Sequence, residues 1–234
     1  MHFGSRGLGH KTATAFIKAA GGKDGIDVAP TVLHQDSDLG RQYLAGMTLA
    51  GQYAYAGREW VVEKVRSIVG GEVLDTVHNH HNYAWRERHG ERDLWVVRKG
   101  ATPAFPGQRG FVGGSMGDDA VILVGVESEA SAASLYSTVH GAGRVMSRTE
   151  AKGKRNRKTG EVIREGRVSH EAMQAWLRQK GVHLVGGDLD EAPQAYRRLP
   201  DVLAHHAGTV EIEHRLKPFA VVMAGADVFD PFKD

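Results

Sequence analysis

The chain is predicted to be an α+β protein, with mixed sheets and packed helices, on three observations. Segments of helical apolar spacing lie towards both ends. Short runs rich in β-branched residues lie between and after them. The two kinds of segment do not alternate in the βαβ rhythm that a doubly wound parallel sheet requires. At 234 residues, with 41% hydrophobic and 25% charged residues, the composition is that of a folded globule with a sizeable core, read as one domain over residues 1–234.

Taken in order, residues 3–10 form a glycine-rich loop, and residues 11–20 a short helix ended by Gly21 and Gly22. Ser37 is placed to cap a much longer helix, in which Leu39, Tyr43, Leu44, Met47, Leu49, Ala50, Tyr53, Ala54, Trp60, Val61 and Val65 recur at helical spacing. Gly70 and Gly71 stop it. Strands are expected at residues 72–78, 93–98 and 120–126. Residues 98–117 hold six glycines and two prolines, which reads as a long ordered loop. The basic stretch 152–167 is an expected exposed loop. Residues 169–180 and 193–206 read as helices, and 210–215 and 219–223 as closing strands.

Composition excludes several chemistries. There is no cysteine, so disulfides, thiolate metal sites and cysteine nucleophiles are absent. No apolar run approaches the roughly 18 residues of a membrane span; the chain is expected to be cytoplasmic. Net charge is only +2, so affinity for nucleic acid must come from local patches. Thirteen histidines and 30 glycines are the two departures from ordinary usage. Histidine supplies nucleophiles and metal ligands, and glycine supplies sharp turns and close backbone approach.

Three constellations carry candidate chemistry. In S-T-V-H-G-A-G-R-V-M-S-R (137–148), His140 follows a short β-type segment and precedes two glycines, with Arg144 and Arg148 behind it. That arrangement suggests a histidine that meets a phosphate, with arginines able to grip an anion in a forked geometry. In H-N-H-H-N-Y-A (78–84), strand alternation would put His78 and His80 on one face and His81 on the other, beside Asn82. This is either a metal-ligand cluster or a solvated strand end. In the loop 98–117, successive backbone N–H groups form an anion nest or simply an Ω-loop; no Gly-Lys-Ser/Thr follows, so it is not a Walker A loop. From Arg144 to Arg167 there are nine Lys or Arg against three Glu, either a solvated face or a track for a phosphate backbone.

Together the motifs resemble the RtcB family of RNA ligases. The matching stretches are H-F-G-S-R-G-L-G-H (2–10), H-H-N-Y-A (80–84), R-K-G-A-T (98–102), G-G-S-M-G (113–117), H-G-A-G-R-V-M-S-R (140–148) and E-A-P-Q-A-Y (191–196), in family order. The resemblance implies an RtcB-like fold and a GTP- and Mn²⁺-dependent enzyme that joins RNA 3′-phosphate or 2′,3′-cyclic phosphate ends to 5′-hydroxyl ends. It implies that His140 becomes a histidine–GMP adduct, and that His2 and His81 are metal ligands. It further implies that His81, Asn82, Gly113, Gly114, Ser115, Met116, His140, Gly141, Ala142, Gly143 and Tyr196 hold the guanylate, with Arg144 as an added cation.

Departures from the family pattern are also expected to matter. The family's Asp-x-x-Cys and Gly-Asn-His elements do not occur, so the chain is expected to be the C-terminal portion of such a ligase. Gly113 stands where proline is common, and Ala120 near a common serine. Ala224 stands before Gly225 where the family has lysine, and Lys233 is a candidate replacement for that charge. The alternatives are a ligation-incompetent module that binds RNA or nucleotide, and a metal-dependent cyclic phosphodiesterase.

Overall fold

Among the described residues every strand lies after residue 81, whereas helices lie on both sides of that point. The computed structural model describes residues 1–25, 27–156, 159–225 and 228, so Arg157, Lys158 and Lys233 lie outside the described residues. Two units are formed, Met1–Asp75 and Thr76–Phe229.

The first unit is a pair of helices, α1 (Gly7–Ala19) and α2 (Asp38–Val69). α1 takes in residues 7–10, which sequence patterning assigns to a loop; a glycine-rich start costs helix propensity, and packing against α2 outweighs it. Phe16 meets Tyr43 edge to face at 5.5 Å. Ser37 caps α2 as expected, accepting from the Gly40 N–H at 3.0 Å. Gly40 itself is required, because a Cβ there would lie 2.1 Å from the His34 carbonyl oxygen.

The second unit is built from short strands. A hairpin of β1 (Asn82–His89) and β2 (Arg92–Lys99) leads into β3 (Ala101–Pro103), β4 (Arg109–Val112) and β5 (Ala120–Gly125). A short helix, α3 (Glu129–Ala133), precedes β6 (Ser137–Val139). Then follow α4 (Arg148–Lys152), the hairpin β7 (Gly153–Arg155) with β8 (Val162–Glu165), α5 (His170–Lys180) and β9 (His183–Gly187). Two 3-10 turns and α6 (Leu199–Ala204) lead to β10 (Val210–Leu216) and β11 (Ala220–Gly225). β5 is flanked by β4 and β10, both antiparallel; β9 and β11 pair in parallel; β3 pairs antiparallel with β6.

Mixed helix and sheet is the expected α+β class, but several local expectations fail. No strand forms over 72–78, and β1 begins only at Asn82. His78, His80 and His81 therefore do not alternate across a strand. The loop 98–117 contains β3 and β4, and the stretch 152–167 contains the β7–β8 hairpin. The helix expected over 193–206 is broken, because Tyr196 is extended (φ −120°, ψ 154°) and bridges to Arg144.

Two apolar clusters organise this unit. One joins Val112, Val121, Leu123, Ala142, Leu199 and Leu203; the other joins Met116, Ala151, Met173, Leu177, Ala192 and Ala195. The segment from Val112 to Met116 and the segment from Ala142 to Ala151 each run from the first cluster to the second. Both candidate nucleotide loops thus cross the same junction, anchored in a close-packed core at each end.

Candidate active site

His140 follows directly on β6. The register pairs Ala101 with Val139, so the next residues along, Gly100 and His140, come together. His140 Nδ1–H donates to the Gly100 carbonyl oxygen at 2.7 Å. A carbonyl only accepts, so the proton is fixed on Nδ1, and in the neutral ring the lone pair is on Nε2. Gly100 has φ +70°, a left-handed conformation natural to glycine. Its N–H donates to the His81 carbonyl at 2.8 Å. The His81 and His140 rings then lie 4.8 Å apart, tilted by 33°.

The irregular segment that carries His81 is held by side chains rather than by a ladder. Asn79 accepts from the Phe111 N–H at 3.1 Å and donates to Thr102 Oγ1 at 3.1 Å. The fully buried Thr102 donates to the His80 carbonyl at 2.9 Å, and the His80 ring stacks on Tyr83 at 5.1 Å. Asn82 is exposed at the first position of β1.

The two loops are joined backbone to backbone. Gly113 and Gly141 form an isolated bridge, and the Ala142 N–H donates to the Gly113 carbonyl at 3.0 Å. A Cβ on Gly141 would stand 3.1 Å from that carbonyl, and one on Gly114 would stand 2.4 Å from the Asp119 carbonyl. These glycines admit the chain's own backbone, and Gly143 turns at φ +73°. Ser115 donates to Asp118 Oδ2 at 2.5 Å, and Met116 is buried in the second cluster. The side chains of Ser115 and Met116 are therefore committed to the fold.

Both arginines behind His140 are engaged within the chain. Arg144 donates to the Met146 carbonyl (3.1 Å), the Tyr196 hydroxyl (2.9 Å) and the Asp190 carbonyl (2.6 Å), and its guanidinium stacks over the Tyr196 ring at 4.9 Å. Tyr196 donates onward to Glu191. Arg148 pairs with Asp190 at 2.9 Å and with Glu191. Both guanidinium groups bond the chain's own acceptors, pinning the loop after His140 to the E-A-P-Q-A-Y segment. Arg197 is exposed beside this loop, with its guanidinium on the Arg144 carbonyl at 3.2 Å.

Sequence reasoning missed a buried ion pair beneath β6. Arg98 donates to both Glu87 carboxylate oxygens (2.6 and 2.9 Å), and His89 Nε2–H adds a third bond to Glu87 at 2.8 Å. Burial pushes the Glu87 carboxyl up, but the bonds from Arg98 and His89 outweigh this and hold it below the usual carboxylate range. A signal was present: Leu94, Val96 and Arg98 alternate on one face of β2, which points Arg98 inward. Behind β6, His206 Nδ1 is 3.5 Å from Thr138 Oγ1. Burial, with His205 nearby, holds His206 below the usual histidine range.

His2 belongs to the first unit, where it is exposed. Among the described residues, no group of three or more His, Asp or Glu side chains is gathered closely enough to hold a metal ion.

The family model for the tRNA-splicing ligase RtcB matches residues 1–224. The chain belongs to the RtcB family. It is 34% identical to the tRNA-splicing ligase RtcB of Archaeoglobus fulgidus, over 94% of this chain and 51% of that protein. It is 33% identical to the RNA-splicing ligase RtcB of Mycobacterium tuberculosis and 31% identical to that of Escherichia coli, in each case over 95% of this chain and 55% of the relative. The chain therefore spans about half the length of the curated RtcB relatives it matches.

Proposed function

We propose that this RtcB chain carries the nucleotidyl-transfer centre of a GTP-dependent RNA ligase, acting in tRNA splicing or RNA repair. The observation that carries the reading is the bond from His140 Nδ1–H to the Gly100 carbonyl, which leaves Nε2 as the nucleophilic atom. His140 Nε2 attacks the α-phosphorus of GTP, the bond to the pyrophosphate oxygen breaks, and pyrophosphate leaves. An RNA 3′-phosphate oxygen then takes the GMP from His140. An RNA 5′-hydroxyl attacks the activated 3′-phosphate, forms the phosphodiester and releases GMP. Ends carrying a 2′,3′-cyclic phosphate are first opened by water to the 3′-phosphate.

Backbone groups of Gly113, Gly114, Ser115, Met116, Gly141, Ala142 and Gly143, with the Asn82 amide and the Tyr196 ring, form the guanylate site. Fixed N–H dipoles stabilise charge developing on the phosphate without reorganising. Mn²⁺, with His81 among its ligands, would act as a Lewis acid on the phosphate. The described residues do not by themselves form a complete metal centre. The RNA partner is met in part by the β7–β8 hairpin, where Lys154, Arg155 and Arg164 are exposed.

The test is incubation with α-labelled GTP and Mn²⁺, followed by measurement of acid-labile label on the protein. The wild-type chain is expected to label and His140→Ala to lose the label entirely. Label that persists in His140→Ala, or a wild-type chain that takes none, contradicts the reading. Opening of cyclic phosphate ends without GTP and without adduct would show a phosphodiesterase instead.

A further inference from the structure

We infer that Arg98, neutralised by Glu87, is a positioning residue for guanylylation: it ties β6 to the segment bearing the Gly100 carbonyl and so fixes the tautomer and ring orientation of His140. This rests on His140 being the nucleophile.

Two segments must be held in one register for the bond between His140 and Gly100 to exist. The β3–β6 ladder that aligns them is only three residue pairs long. A slip of one residue would turn every side chain of β6 to the opposite face and remove His140 from the carbonyl. Arg98 supplies the missing constraint from both directions. It lies two residues before Gly100 in the chain, and its guanidinium donates to Ser137 Oγ at 2.8 Å and to the Leu135 carbonyl at 2.8 Å. Those acceptors stand immediately before and within β6.

The turn leading into β6 needs such an anchor. Leu135 and Tyr136 both have left-handed backbones, φ 52° and 48°, without being glycine. Such conformations persist only where the surroundings over-determine them. Here the Leu135 carbonyl is held by Arg98, and the Tyr136 ring stacks on Phe105 at 5.0 Å and on His89 at 6.0 Å. Backbone that would otherwise relax is thus locked next to the residue that must be aimed.

Arg98 cannot also serve as a phosphate ligand. Its side chain is 1% exposed, its charge is met by both oxygens of Glu87, and Trp85 covers it at 5.1 Å. Its Nε and both terminal nitrogens are engaged, a fork that the single ammonium of lysine cannot reproduce.

The test has two readouts on the full chain. Long-range ¹⁵N–¹H spectra of ¹⁵N-histidine-labelled protein, without nucleotide, are expected to show the Nδ1–H tautomer at His140 in the wild type. Arg98→Lys should shift His140 towards a mixture of tautomers, and Ser137→Ala should do so in the same direction but less. In the labelling assay, Arg98→Lys should lower the adduct rate at saturating GTP about 10-fold or more, while the half-saturating GTP concentration moves less than about two-fold. Arg109→Ala, which removes an ion pair with Glu213 on the β4–β10 side, should change neither readout.

A folded Arg98→Lys that keeps the Nδ1–H tautomer and the wild-type rate overturns the inference. So does a variant that keeps the rate but needs more GTP, since Arg98 would then touch the nucleotide itself. If Arg98→Lys does not fold, Ser137→Ala decides by the same criteria. The tautomer readout needs no adduct, so a failure of guanylylation itself is separately visible.

Discussion

Arg98 and Arg144 stand on either side of His140, and both are anchored to backbone carbonyls, yet they do different work. Arg98 is buried, paired with a carboxylate, and holds the strand that arrives at His140. Arg144 is a quarter exposed, has a tyrosine ring beneath it, and holds the loop that leaves. Sequence position makes Arg144 look like the phosphate ligand and Arg98 like an ordinary strand residue. The structure turns both into clamps. Arg144 places one N–H from each of its three nitrogens on Met146, Tyr196 and Asp190, which fixes its plane against the loop.

The comparison can be broken at its strongest point first. Glu87→Ala leaves the Arg98 charge buried and uncompensated, so urea unfolding should show a loss of about 3–5 kcal/mol. The same pair sets a pH dependence. Glu87 has a folded-state pKa below its unfolded value, so its contribution is fully present above the ordinary carboxylate range. It is lost as pH falls through the lowered folded value, and Glu87→Gln should flatten the stability profile in that acid window. On the other clamp, Tyr196→Phe removes the hydroxyl shared by Arg144 and Glu191 but keeps the ring. Because water can replace a partner of the partly exposed Arg144, the loss should be smaller, about 1–2 kcal/mol in the same unfolding measurement. The smallest effect lies on the β7–β8 hairpin. Lys154→Ala with Arg155→Ala should leave stability unchanged and reduce the salt slope of single-stranded RNA binding by about 0.7 for each phosphate no longer neutralised. An unchanged slope would make the hairpin a solvated face.

Some of the molecule was readable because the information is local. Ser37 precedes a helix and caps it, and Gly70 ends it. The β-branched residues of β5 marked it as a strand. What failed depends on distant partners. Residues 72–78 have strand-like composition but no strand to pair with, while β3 and β4 are short and glycine-flanked yet find β6 and β5. Tyr196 breaks the expected helix because Arg144 offers it a bridge from 52 residues away. In the site, His140 and its glycines were legible by pattern, but the reason for the glycines was not. Gly141 is close to the Gly113 carbonyl, a neighbour that only the folded chain supplies.

The central claim is that Gly100 fixes the proton of His140 on Nδ1 and leaves Nε2 to attack phosphorus. It is tested most directly by the linkage of the GMP adduct, read by peptide mapping and ³¹P–¹⁵N coupling on ¹⁵N-histidine-labelled protein. The expected result is a single phosphoramidate at Nε2 of His140. A linkage through Nδ1, or through another histidine, would contradict it.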